Sequence, residues 1–347
     1  MDIAVDIFAT IIGQLQKPTL AFLLGGMLLA ALGSKLEVPA SVYKFIVMVL
    51  LLKVGLGAGM SIREADIEDI AAPAIAAIAV GVFIVLIGGG VLGRARGVSR
   101  MDAMATAGLF GAVSASTLAA GMTILEAEGI AYEGFIGALY PFMDLAALMT
   151  AIVLARMAAA RETTVNAGGT VTMGGGGARF DFSGSKDILV DTLRSPAISA
   201  LLLGIGIGLY AAPTALYEGF YEMLFRGFLS ILMLTMGIEA WQRLADLRKV
   251  AHVYILYGLT APLLHGAIGF GAGLAVHHMT GFSAGGVVLL AVLAASSSDI
   301  SGPPTLRAAL PEANPSAYIG TSTGLGTPIA ILSIPLWIAL AEAFIGL

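Results

Sequence analysis

Two short polar stretches lie inside otherwise apolar runs, and their residue types could do chemistry. Residues 295–304 read ASSSDISGPP and follow directly on the apolar run 284–295, AGGVVLLAVLAA. As a helix that run rises about 18 Å. It would bring Ser296, Ser297, Ser298 and Asp299 near the middle of a bilayer. A carboxylate at that depth is costly unless it faces a cavity, a partner or a cation. Gly302, Pro303 and Pro304 then break the helix, free carbonyls and open a new helical N-terminus. A second stretch, GAVSAST at 111–117, interrupts an apolar run in the first half of the chain.

Two helix starts meeting across the midplane would aim backbone donors and the positive ends of two dipoles at one point, a cradle for a small anion. Ser114, Ser116 and Thr117 from one break, and Ser297, Ser298 and Ser301 from the other, add hydroxyls that donate and accept. No arginine is expected at this depth, so an anion would be held weakly enough to be released. Asp299 suits a hard cation such as Na+, which prefers carboxylate, hydroxyl and freed carbonyl oxygens. Asp144, in YPFMD at 140–144, is either a second cation ligand or the partner of a nearby hydroxyl. Thr321, Ser322, Thr323 and Thr327 occupy the corresponding stretch of the second half and could complete a cation shell or satisfy a kinked helix. The plainer alternatives are that the serines only pack helices and that Asp299 only caps the restart at Ser301.

The elements that must carry these residues are membrane helices. The chain of 347 residues is 58% hydrophobic and 12% charged, too little polar surface to cover a soluble globule. Its apolar runs predict ten spans, at about 18–34, 40–60, 69–93, 103–125, 133–157, 195–213, 222–242, 249–277, 284–306 and 315–345, with the fourth, ninth and tenth interrupted. Residues 1–17 carry apolar positions at helical spacing and no basic start, which predicts a helix on the membrane surface rather than a signal peptide. Lys35, Arg94, Arg96, Arg100, Arg161, Arg179, Lys186, Arg243, Arg248 and Lys249 alternate with acidic loops at 64–69, 126–128 and 218. That alternation puts both termini outside and the basic loops in the cytoplasm.

The chain also repeats itself. READI at 63–67 matches RLADL at 243–247, Pro18 matches Pro196, Ser114 and Ser116 match Ser296 and Ser298, and Ile136-Gly137 matches Ile319-Gly320. The offset is about 180 residues and grows slowly, as duplication with small insertions leaves it. Five spans per copy is odd, so the second copy enters the membrane inverted, the architecture of secondary transporters. The fold class is therefore an all-α polytopic membrane protein of two inverted five-span repeats, 1–160 and 193–347, with discontinuous crossing helices. Between them, 161–192 is a Gly-rich cytoplasmic linker. No phosphate-binding motif accompanies these glycines, which argues against an ATP-driven pump. The absence of cysteine excludes disulfides and thiolate metal sites. Lys53 is expected to snorkel to the outer interface, Trp241 and Trp337 to anchor at interfaces, and the four histidines to be structural.

GAVSAST, ALYPFMD at 138–144, YEGFYEMLFRGFLSILML at 217–234, ASSSDISGPPTLRAALP at 295–311 and NPSAYIGTSTGLGTPIAI at 314–331 resemble the cyanobacterial-type sodium-dependent bicarbonate transporters, the SbtA family. The resemblance runs from about residue 14 to the end through both repeats. It implies a non-enzymatic Na+/bicarbonate symporter of the plasma membrane, part of a CO2-concentrating mechanism. It also implies a homotrimer, with a gate domain from spans 1, 2, 6 and 7 and a mobile core from spans 3–5 and 8–10. A cytosolic trimeric PII-like regulatory protein would dock on the inner face; no nucleic acid is implied. Carried over, bicarbonate binding falls on Gly111, Ala112, Ser114, Ser116, Ser298, Ser301 and Gly302. Sodium binding falls on Ser296, Ser297 and Asp299, with Asp144, Thr117 and Thr323 as neighbouring oxygens. The central linker departs from the family pattern, being short and Gly-rich rather than long and charged. Rival readings are a Na+ symporter of sulfate or a small carboxylate, an intramembrane protease using Asp144 and Asp299, and a passive channel.

Overall fold

A computed structural model describes residues 18–167, 190, 193–247 and 252–347, and every regular element among them is helical. The expected surface helix at 1–17 and most of the expected linker, 168–189 with 191 and 192, lie outside the described residues. Seven stretches among the described residues are long and apolar enough to cross a membrane: Ala40–Glu64, Glu68–Leu92, Arg100–Glu128, Gly134–Ala159, Thr214–Leu244, His252–Thr280 and Pro315–Phe344. Where the sequence predicts the first, sixth and ninth spans there are shorter apolar helices, Pro18–Ala31, Pro196–Ala211 and Ala284–Ala295. Gly33 (φ 78°) lies just past the first, and Ala212 (φ 42°) with Pro213 ends the second. The third stops at the serine run.

In chain order the helices are α1 (Pro18–Ala31), α2 (Ala40–Glu64), α3 (Ile67–Leu92), α4 (Arg100–Gly111), α5 (Ala115–Glu128), α6 (Leu139–Ala167) and α7 (Pro196–Ala211). They continue as α8 (Met223–Leu247), α9 (His252–Thr280), α10 (Ala284–Ala295), α11 (Gly302–Ala309), α12 (Pro315–Ile319), α13 (Thr327–Leu332) and α14 (Ile334–Phe344). A 3-10 turn, Gly134–Ala138, precedes α6; π-turns Tyr217–Glu222 and Gly320–Gly326 lead into α8 and α13. α6 continues to Ala167, so the first residues of the expected linker are helical.

Helix α1 packs along α8, and α2 along α7, with the backbones nearly touching. A Cβ at Gly26 would run into the Leu234 carbonyl oxygen, and one at Gly237 into that of Leu23. Gly55 and Gly204 face each other in the same way, each against the other helix's carbonyl (Leu201 and Leu52). In lipid, helices gain little from hydrophobic exclusion, so this close van der Waals approach, which only glycine permits, holds the pairs. Helices α3, α4 and α6 form a second packed group, joined by α9 and α10. Asp102 Oδ1 accepts from the Asn314 N–H at 2.6 Å, tying the start of α4 to the start of α12. Glu133 accepts from Ser283 N–H at 2.6 Å and from its hydroxyl at 2.8 Å, tying the approach to α6 to the start of α10.

Two aromatic and basic assignments are corrected. Trp337 is no interface anchor: it is buried against Phe270 and donates its indole N–H to Ser333 Oγ at 3.0 Å. Lys53 does not snorkel either, being 2% exposed and paired with Glu222 and Glu126. Both exceptions have one cause, a partner within reach in the interior.

Candidate functional site

Both expected breaks are present. Between α4 and α5 the chain is extended at Ala112 (φ −81°, ψ 165°) and Ser114 (φ −93°, ψ 119°). Between α10 and α11 it becomes extended at Ser296 (φ −70°, ψ 170°). Pro303 and Pro304 fix where α11 begins, because proline is tolerated only in a helix's first turn. Ser114 caps α5 through a hydrogen bond from Thr117 N–H at 3.1 Å.

The tertiary fold brings the two breaks into contact. Ser114 N–H donates to Ser296 Oγ at 3.1 Å, and Ser298 N–H donates to the Leu109 carbonyl at 2.8 Å. Ser116 Oγ donates to Asp299 Oδ2 at 3.1 Å. Gly111, Ala112, Ser114, Ser116, Thr117, Ser296, Ser297, Ser298, Ser301 and Gly302 are all buried.

Asp144 reaches both breaks from α6. Its Oδ1 accepts from Val113 N–H at 3.0 Å, and its Oδ2 accepts from Ser301 Oγ at 3.1 Å. Ser301 also lies 3.2 Å from the Tyr140 hydroxyl and 3.0 Å from Ser298 Oγ. The geometry thus favours the hydroxyl-partner alternative for Asp144, with one donor on each carboxylate oxygen. On the other side, Thr327 Oγ1 is 3.1 Å from Ser297 Oγ, and Ser322 Oγ donates to Ser297 Oγ at 2.9 Å. Ser322, which lies in the π-turn Gly320–Gly326, and Thr327 thus both reach Ser297 from the stretch expected to complete a cation shell or satisfy a kinked helix. Thr323 is buried, but no side-chain hydrogen bond ties it to this cluster.

The two helix starts are not equivalent. At α11, Gly302 N–H already donates to Ser298 Oγ at 2.8 Å, and two prolines supply no N–H. The open donors are therefore at α5, where Ala115 and Ser116 border a cavity of about 10 Å³. Its opposite wall is apolar: Val47, Leu50, Leu51 and Val54 of α2 and Leu232 of α8. Such a space holds about one water. Among the residues of the two breaks, two buried side-chain oxygens have no hydrogen-bond partner, Thr117 Oγ1 and Asp299 Oδ1. Buried acceptors are rarely left unmatched, so an unpaired carboxylate oxygen on Asp299, which accepts from Ser116 through its other oxygen, and an unpaired hydroxyl in the first turn of α5 suit a cation that takes oxygen ligands.

Comparison with known families decides the class. A family model described as the Na+-dependent bicarbonate transporter superfamily matches residues 18–342. The chain belongs to that superfamily. No curated protein matches it. Membership in the Na+-dependent bicarbonate transporter superfamily, with several helices of spanning length, makes this a multi-pass membrane protein. It points to a transporter and away from an enzyme in which Asp144 and Asp299 would act as an acid pair.

Proposed function

We propose that this protein is a Na+/bicarbonate symporter built from ten spans in two inverted repeats, whose site lies where the two broken helices meet. The observation that carries the reading is the reciprocal contact of the breaks, Ser114 on Ser296 and Ser116 on Asp299, with Asp299 Oδ1 and Thr117 Oγ1 unpaired beside them. Asp299, Thr117 and Ser116 would hold Na+, while the α5 start and the hydroxyls of Ser114, Ser116, Ser298 and Ser301 would hold bicarbonate. A cation beside an anion site lowers the cost of binding each, and the coupling is reciprocal.

Two sets of contacts support the inverted repeat. At an offset of about 180 residues, the Gly26–Gly237 contact maps onto the Gly204–Gly55 contact. The Asp102–Asn314 bracket maps onto the Ser283–Glu133 bracket. Each contact crosses between the copies, as a two-fold relation requires.

The apolar wall from α2 and α8 closes over the site, leaving no room for an anion beside Ser116. Transport then requires the group carrying the breaks to move along α1, α2, α7 and α8, in the manner of an elevator. From the family resemblance we extend the reading to a plasma-membrane homotrimer with both termini outside, serving a CO2-concentrating mechanism under a PII-like cytosolic regulator. One Na+ per bicarbonate moves no net charge, and each further Na+ adds about 2.3 kcal/mol per 100 mV of driving force.

The test is uptake of labelled bicarbonate into proteoliposomes. Replacing external Na+ by choline is expected to abolish it, and excess sulfate or formate to leave it unchanged. An unchanged rate in choline refutes sodium coupling; competition by sulfate or formate moves the substrate to that anion.

A further inference from the structure

Lys53 stands inside α2, and a buried ammonium in a spanning helix is costly unless it is paired. Its Nζ lies 3.2 Å from Glu222 Oε2, 3.5 Å from Glu126 Oε1 and 4.1 Å from the centroid of the Phe225 ring. Glu222 and Phe225 belong to the π-turn and first turn of α8, in the same packed group as Lys53 itself. Glu126 stands near the C-terminal end of α5, which carries the first break and in the proposed movement travels with the other group. That helix begins at the candidate ion site, so one rigid rod joins the site to the ion pair.

Either member keeps a partner if the two groups separate. Lys53 retains Glu222 and Phe225. Glu126 Oε1 also accepts from the Tyr132 hydroxyl at 2.7 Å, and its side chain is 23% exposed, so water can reach it. Burial, together with the Glu126 carboxylate, pushes the Tyr132 phenol well above its usual value, so it remains a donor. Breaking most buried ion pairs leaves an orphaned charge, which is why they rarely open. Here the contact between groups is also the longer of the two salt bridges.

We propose that Lys53 and Glu126 form a releasable latch that holds the ion-carrying group in its closed register, with Lys53 shared between Glu126 and its local partner Glu222. The proposal rests on the two-group movement given above. It makes a prediction with opposite signs: losing Glu126 opens the latch, whereas losing Glu222 leaves Glu126 as the carboxylate paired with Lys53 and tightens it.

The chain contains no cysteine, so one introduced thiol reports without background. Ala119 lies on α5 against the small cavity and is 2% exposed, so its reactivity measures how often the groups part. In proteoliposomes, Ala119→Cys is treated with a small charged thiol reagent, with and without Na+ and bicarbonate. Glu126→Gln is expected to raise the labelling rate about 5-fold or more, and Glu222→Gln to lower it by a similar factor, the usual span of a conformational coupling. Both substitutions preserve shape, and size-exclusion profiles check that they assemble. If ligands change the rate but the two variants move it together or not at all, the latch is overturned and the movement stands. If no ligand condition alters the rate, the movement fails and the latch with it.

Discussion

Asp144→Asn separates two roles that a carboxylate at this position could play. The side chain is fully buried, with Oδ1 accepting from Val113 N–H at 3.0 Å and Oδ2 from Ser301 Oγ at 3.1 Å. Hydrogen bonds to a charged acceptor contribute about 1.5–3 kcal/mol and neutral ones about 0.5–1.5 kcal/mol. Asparagine can turn its carbonyl to Val113 and its amide to Ser301. Ser301 then accepts, redirecting its own hydroxyl to Ser298 or Tyr140. Both contacts survive in neutral form, a loss of about 1 kcal/mol each, partly offset because a buried charge has gone. The net destabilisation should therefore be at most about 2 kcal/mol. Asp144→Leu should lose more, because Val113 N–H would have no acceptor and the two breaks would lose their common bracket. The assay pairs thermal unfolding in detergent with uptake measured across a Na+ titration. A bracket role predicts a lower unfolding temperature for Asn, a further drop for Leu, and a half-saturating Na+ concentration for Asn within about 3-fold of the parent, under 1 kcal/mol. A shift of tenfold or more, about 1.4 kcal/mol, with unfolding temperature unchanged would place Asp144 on the cation and refute the bracket.

Asp299→Asn is expected to assemble normally yet lose Na+-dependent uptake by tenfold or more, because Oδ1 has no protein partner to explain the charge. Full uptake in that variant would remove Asp299 from the site. Gly237→Ala should destabilise by about 1–3 kcal/mol, since its Cβ would meet the Leu23 carbonyl of α1 and the helices would have to part. Gly227→Ala in the same helix meets nothing within 4 Å and should be neutral or mildly stabilising in the same thermal scan. Equal effects from the two would mean that the glycine contact does not hold α1 to α8.

What the chain announces by itself is local. Apolar run length, the serines at 296–298, and Pro303 with Pro304 are enough to place helices and interrupt two of them, because backbone donors and proline rings act within one turn. Ser114 as a cap and α11 starting at Gly302 follow from the same chemistry. The repeated motifs point to pairs such as Ser114 and Ser296 by their offset, without saying that the pair touches. Partnership across the fold was decided only in three dimensions. Whether Lys53 reaches water or two carboxylates depends on where Glu126 and Glu222 arrive, tens to hundreds of residues away in the chain. Whether Asp144 is free for a cation depends on Val113 and Ser301, one from each broken segment. Trp337 is buried because Phe270 and Ser333 meet it. A side chain's type states what it can bind. Which donor, charge or ring stands within about 3–4 Å of it is a property of the packed helices alone.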